Sequence, residues 1–347
     1  MSNFIYSKGS GLNDAMIGKL ETPLKMIIDH ESDACAKKNG VQKALFNVEK
    51  SNKFAETLVG NSDFDIFMAS AEGAEASKDS IQQTYKKYVE HIQFMKMFTI
   101  TAEMMEDANY GVAADAKRRA EQFVRAYYKT MNKICSQALI NGLNKTASFA
   151  GTSVDLTTFD DEALFSTGHK FMLDKLSAQT QSNYFKATGW ASSEDGGVEE
   201  MLNVMANKIR NMKDENGEVL EYIADTIIIP GNRPHFEAKV KKAAGSERTT
   251  GNDFNDINTQ YGNWNIVVLP DWQTDDDRMM VMSSEANKQL NGNMFFNRVP
   301  LTIRHWVDDK TYNYNWNGRC RFGVGFGSYK HIALVTDGTG NGTELTL

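Results

Sequence analysis

Cysteine is almost missing from this chain: Cys35, Cys135 and Cys320 are three in 347 residues, odd in number and far apart. They form neither a disulfide framework nor a zinc spacing, and they fit a reducing compartment. No run of eighteen apolar residues exists, so no segment reads as a membrane span. The start, MSNFIYSKGSG, lacks the apolar stretch of a signal peptide, which points to a protein made and used in a cytoplasm, or released by lysis. Positive charge is short too. The net charge is −7, which argues against a sequence-reading nucleic-acid binder with its basic face. Catalytic signatures are equally scarce. His30, His91, His169, His235, His305 and His331 are scattered with no ligand spacing. There is no GxSxG elbow, P-loop or CxxC, no internal repeat and no charge block.

What is present is an ordinary globular composition, 41% hydrophobic and 24% charged, and one dominant helix. Val112, Ala116, Ala120, Phe123, Tyr127, Met131, Ile134 and Ala138 step by three or four, one face of a rod over about 112–141. Asp115, Lys117, Arg118, Glu121, Gln122, Arg125 and Lys129 make the opposite face, with Glu121 and Arg125 spaced for an ion pair. Gly142 stands where a left-handed residue commonly closes a helix. A short helix is expected after Thr101, ending near Asn109-Tyr110-Gly111.

Residues 1–40 read as an arm with a short amphipathic piece. Tyr88 to Ile100 alternates as one strand of about a dozen residues. With Phe46, Val48, Phe54, Leu58 and Val59 before it and the polar tip Ala69 to Ser80 between, it suggests a long hairpin reaching away from the body. Val198 to Asp214 is a second amphipathic helix, with Met201, Val204, Met205 and Ile209 on one face. Asp225 to Ile229 is a buried strand ended by Pro230, Pro234 opens a helix, and Ser246 to Tyr261 is a polar loop. Asn265 to Leu269 is another buried strand, stopped by Pro270, and Met279 to Met282 a third. Phe295 to Val335 is β throughout, with a turn expected at Asn317-Gly318 and a polar tail from Thr336 to Leu347.

The chemical candidates are weak beside structural alternatives. Gly323-Val-Gly-Phe-Gly opens no helix, so close backbone packing explains it better than a ligand loop. Asp275 to Asp277 lacks the ligand alternation of a calcium loop and reads as a solvated turn. Cys135 reads as a small core residue. His169 has no nucleophile or acid tied to it. The expected catalytic, cofactor and metal sites are none, and the chain is expected to work through surfaces.

The ordered set ALFSTGHKF, NMKDENGEVLEYIADTIIIPGNRPHFEAKV and ERTTGNDFNDINTQYGNWNIVVLPDW, after a reaching hairpin and a long spine helix, resembles the tailed-phage major capsid protein with the Hong Kong 97-type fold. It is more similar still to the major head subunit of Mu-like phages and prophages. Residues 170–190 depart from the pattern by being longer and more polar. The resemblance implies an α+β fold with an N-terminal arm (1–40), an extended loop (41–87), a peripheral domain (88–197 with 287–335) built on the spine helix, an axial domain (198–286) and a tail (336–347). It implies hexamers and pentamers in an icosahedral shell around double-stranded DNA held without sequence specificity. Scaffold, portal and decoration proteins would be partners, with no membrane, and assembly in the bacterial cytoplasm would place the product in the virion. Assembly candidates are Phe54, Leu58, Phe64 and Phe67 of the loop, and Asn252, Asn255 and Tyr261 near the expected capsomer centre. An acidic subunit is expected not to grip phosphates. An encapsulin-like compartment and a soluble enzyme are the alternatives.

Overall fold

The structure, a computed structural model, describes residues 30–35, 37, 40–61, 67, 69, 72, 75, 83–103, 111–173, 176, 178–193, 196–248 and 257–345. The first elements are α1 (Val41–Leu45), β1 (Asn47–Lys50), β2 (Ala55–Asn61), β3 (Gln83–Glu90), β4 (Ile92–Ile100) and the long helix α2 (Gly111–Ile140). Short strands β5 (Thr146–Phe149), β6 (Thr152–Asp155), β7 (His169–Lys170), β8 (Thr180–Gln181) and β9 (Tyr184–Ala187) follow. Next come α3 (Gly197–Arg210), β10 (Thr226–Pro230), α4 (Pro234–Gly245), β11 (Asn265–Leu269), β12 (Arg278–Met282) and α5 (Ser284–Gln289). The chain ends with β13 (Asn293–Val307), β14 (Tyr314–Phe326), β15 (Ile332–Asp337) and β16 (Thr343–Glu344). Among the described residues no helix is long and apolar enough to cross a membrane.

Two compact units divide the chain. The first holds 1–40, 92–133 and 297–322, the second 41–91, 134–296 and 323–347. In the first, β4 runs antiparallel to β14, with Phe98 opposite Trp316 and Phe94 opposite Cys320. Phe98 stacks on Trp316 at 5.1 Å between centroids, and Phe94 on Phe322 at 4.7 Å. The apolar stripe of α2 lies against this face. Phe123 is 8% exposed and meets Phe98 edge-on at 5.5 Å. Gly318 permits that approach, because a Cβ there would stand 2.5 Å from Phe123 Cε1. Asn317-Gly318 therefore sits inside β14 and makes no turn. The reversal lies at 308–313, where Tyr312 adopts a φ of 53° and the Asp308 carboxylate accepts from Lys310 N and Thr311 Oγ1. Residues 30–35 are helical, and Ser32 reaches the Tyr128 hydroxyl at 3.0 Å.

The second unit is built on a six-stranded sheet in the order β11-β10-β12-β15-β9-β16. Its second strand, β10, is buried along its whole length, pairing parallel with β11 and antiparallel with β12. Alternate side chains Ile227, Ile229, Met279, Val281, Ala333 and Val335 form one core with Met201, Leu202, Met205 and Ile209 of α3 and Phe236 and Val240 of α4. The spacing predicted for α3 holds, except that Val204 is only half-buried. Pro234 opens α4, where a missing N–H costs no hydrogen bond.

Several expectations are corrected. Tyr88 to Ile100 is two strands broken at His91, because β3 pairs with β2 and β4 with β14. Asn265 to Leu269 is the outer strand of its sheet and only partly buried. Within the polar stretch 170–190, Tyr184, Phe185, Ala187 and Trp190 are core residues, while 178–180 are exposed. The tail is partly structural, with Thr336 buried and β16 added parallel to β9. The sheet thus takes strands from outside 198–286. Helix α2 ends in consecutive turns, and Gly142 is not left-handed; a Cβ on it would meet the Phe165 ring at 2.8 Å. The helix expected after Thr101 begins at Ala102–Glu103, and the rest of it lies outside the described residues.

Candidate assembly surface

The catalytic candidates are held in structural bonds. His169 is fully buried, stacked at 3.7 Å on the Tyr329 ring, with Nδ1 at 2.9 Å from Asp160 Oδ2 and Nε2 at 3.1 Å from Asn183 Oδ1. Burial alone would raise the Asp160 carboxyl, but hydrogen bonds from His169, Thr158 and the Lys170 N–H hold it at about 2. The group ties 160, 169 and 183 together and faces no solvent. Burial pushes the Cys135 thiol up, away from the thiolate that reactivity requires. Asp276 and Asp277 bind Arg278 and Arg233, each at 2.7 Å. Gly323 and Gly325 admit Glu90 O and Val89, each 2.6 Å from where a Cβ would stand, the close packing expected. A cavity of about 260 Å³ beside Gly60 and Tyr85 is lined by Glu215 and Lys330, which pair at 2.6 Å.

The reaching hairpin exists at its base. Strands β2 and β3 pair antiparallel from Ala55 opposite Glu90 to Asn61 opposite Gln83. This base belongs to the subunit core, contrary to expectation. Leu58 and Val89 pack with Met294 and Phe296 in one buried cluster, and Phe46 is 5% exposed. Buried Lys87 donates to Thr157 and stands 3.2 Å from Asp155, while Tyr85 stacks on Phe159 at 4.7 Å. Other side chains of this segment are open. Phe54 is 73% exposed, Tyr88 58% and Phe67 fully exposed. Tyr261 is half-exposed. Phe64, Asn252 and Asn255 lie outside the described residues. The structure thus leaves Phe54, Phe67 and Tyr261 open, and withdraws Leu58 from the assembly set.

A second open surface escaped the sequence reading. On the face of β4 and β14 opposite Phe98 and Trp316, Met95 and Met97 are exposed. With Val299 and Trp306, Met95 lines a groove of about 400 Å³ that also holds Arg304 and Arg319. The signal was available in β4, whose alternation puts Met95 and Met97 on the face opposite Phe94 and Phe98.

No family model matches the chain, and no curated protein matches it. Solved structures do. A structure of Mycobacterium phage Patience aligns at a TM-score of 0.52 and 13% identity, covering 95% of this chain and 90% of that one. The capsid of cyanophage P-SCSP1u aligns at 0.51 and 11% identity, covering 84% and 86%. The procapsid of bacteriophage JBD30 aligns at 0.50 and 14% identity, covering 94% and 77%. The chain has the Hong Kong 97-type capsid fold. Within this fold, a long helix laid along an antiparallel sheet, a paired hairpin and a mixed α/β sheet account for both units. At such low identity the likeness speaks for the backbone, so the surface residues named above rest on the geometry of this chain.

Proposed function

We propose that this chain is the major capsid subunit of a tailed phage, of the Mu-like head-subunit kind, assembling as hexamers and pentamers into an icosahedral shell around double-stranded DNA. The observation that carries the reading is the end-to-end agreement of fold with phage capsids over 84–95% of the chain, in a molecule whose large exposed apolar side chains include Phe54, Phe67, Met95 and Trp306. The groove lined by Met95, Val299 and Trp306 within the first unit is surface of the kind seldom left uncovered on a soluble monomer. Contacts between unlike surfaces of successive copies close into rings. Residues 1–40 act as the arm and 41–87 as the extended loop. Residues 88–197 with 287–335 form the peripheral part, 198–286 the axial part, and the loop ending at Tyr261 lies near the capsomer centre. Scaffold, portal and decoration proteins are the expected partners in the bacterial cytoplasm. The encapsulin-like alternative has no observation in its favour, and the enzyme alternative is opposed by the structural bonding of His169 and Asp276 and the burial of Cys135.

Expression of the full chain, alone and with a neighbouring scaffold gene, followed by negative-stain microscopy and light scattering, tests this. Closed shells, capsomers or tubes are expected. Monomer or dimer under every condition would overturn it.

A further inference from the structure

The charge of this protein is unevenly placed. The second unit carries 21 Lys and Arg against 33 Asp and Glu, a net charge of −12, whereas the first carries 17 against 12, a net charge of +5. Part of that excess is concentrated on one surface of α2. From Lys117 to Lys133 every exposed side chain is a lysine, an arginine or a glutamine: Lys117, Arg118, Gln122, Arg125, Lys129 and Lys133. Arg118, Gln122, Arg125, Lys129 and Lys133 recur every three or four residues, so they form one stripe about 22 Å long, and Lys117 lies beside its first member. Exposed helix faces ordinarily mix signs, and like charges four apart, as at 125, 129 and 133, repel by a few tenths of a kcal/mol each. Arg125 binds Glu31 at 2.6 Å and Glu121 at 3.8 Å. Lys117, Lys129 and Lys133 make no ion pair among the described residues. The face is polar throughout, without the open aromatic and methionine side chains seen on β4 and the hairpin, so it does not suit an apolar protein partner.

We propose that this stripe is a contact surface for the phosphate backbone of duplex DNA, which places the solvent face of α2 toward the interior of the shell; the inference rests on the capsid reading. The contact is sequence-independent, because a row of charges along a helix face is satisfied by phosphate oxygens, which carry no sequence information. It is also weak. Three or four phosphates per subunit give a slope of roughly −3 in log K against log salt concentration, enough to order DNA against a wall repeated many times and too little to hold any one segment. The acidic balance of the chain therefore does not keep phosphates away everywhere, as its net charge alone suggests; it keeps them to one face.

The test is fluorescence anisotropy of a labelled 30-base-pair duplex titrated with the purified full-length protein between 50 and 300 mM salt. The natural sequence should bind with a slope near −3. Lys117→Gln with Lys129→Gln and Lys133→Gln should bind at least tenfold more weakly at 50 mM, with a slope near zero, and keep its thermal transition. Lys213→Gln with Lys242→Gln and Lys288→Gln, exposed on the second unit, removes the same charge and should change nothing. The proposal is overturned by a natural sequence that does not bind, by unchanged binding in the first variant, or by equal loss in the second. Competition by poly-glutamate as effective as by duplex of the same charge would also overturn it, in favour of an acidic protein segment. Microscopy of the same samples separates the two readings: shells with unchanged binding in the first variant sink this inference alone, and no shells from the natural sequence sink the capsid reading.

Discussion

Replacing Gly318 by alanine puts a methyl group 2.5 Å from Phe123 Cε1 and 3.1 Å from Leu301 Cδ1. The ring is held by Phe98 on its edge and by the backbone of α2, so it cannot swing away, and overpacking of this sort costs about 1–3 kcal/mol. Phe123→Ala removes the ring and leaves a cavity between helix and sheet, at about 3–5 kcal/mol. Against a total stability of about 5–15 kcal/mol, either change is readily measured. The informative variant is the double one. In Phe123→Ala with Gly318→Ala, the new methyl enters space that the ring has vacated, so the clash disappears and part of the cavity is filled. The double variant should be about 1–3 kcal/mol more stable than the two single costs predict, since residues in contact couple by that order. Urea titration of the unassembled subunit, followed by tryptophan fluorescence, reads all four states. Costs that add to within about 0.5 kcal/mol, the behaviour of distant sites, would refute the packing of helix on sheet described here. Phe123→Asp leaves an unpaired charge in the same place and should give no folded subunit.

Other outcomes follow from the same structure. Phe64→Ser with Phe67→Ser should leave the melting transition of the subunit in place and abolish shells, whereas Leu58→Ala should lower subunit stability by about 2–5 kcal/mol; a fall in melting for the first variant would move the outer hairpin into the core. Cys135 and Cys320 are buried, the Cys320 thiol pushed up to about 11 by burial, so a thiol reagent at pH 8 should reach Cys35 first and the other two only after unfolding, and alkylated particles should show no disulfide ladder. Burial lowers His331 from 6.5 to about 3. The unfolded chain then binds a proton that the folded one refuses, so its contribution is complete above pH 6.5 and is lost as pH falls toward 3. His331→Gln should flatten the acid limb of stability in that window, and an unchanged limb would count against the assignment.

Elements whose pattern is local were legible. The steps of three and four from Ala120 to Ala138 gave α2 to within a residue at each end, and Pro234 and Pro230 marked a helix start and the last residue of a strand. What required tertiary contacts was not. Asn317-Gly318 has the chemistry of a turn, but the glycine is there for the Phe123 ring. Tyr88 to Ile100 alternates without interruption because both β3 and β4 need alternation, and nothing local shows that His91 hands the chain from one partner to another. Leu58 looked like its neighbour Phe54, and only Met294 and Phe296, more than two hundred residues later, decide that one is core and the other exposed. The exposed apolar side chains were legible as excess apolar content, and their location was not.

The anchored root of the hairpin has a mechanical consequence. Leu58 and Val89 are set in the body, Lys87 is pinned to Thr157, and Tyr85 is stacked on Phe159, so the arm is a cantilever clamped at one end. The chain between Asn61 and Gln83 can carry its tip at most about 37 Å from that clamp. On the capsid reading, a small rotation at this root is a larger displacement at whatever point beyond it a neighbouring copy meets. The angle between successive subunits would then be set at Lys87 and Tyr85, and loosening the clamp, by Lys87→Met for instance, would broaden the distribution of shell radii without touching any surface that one copy presents to the next.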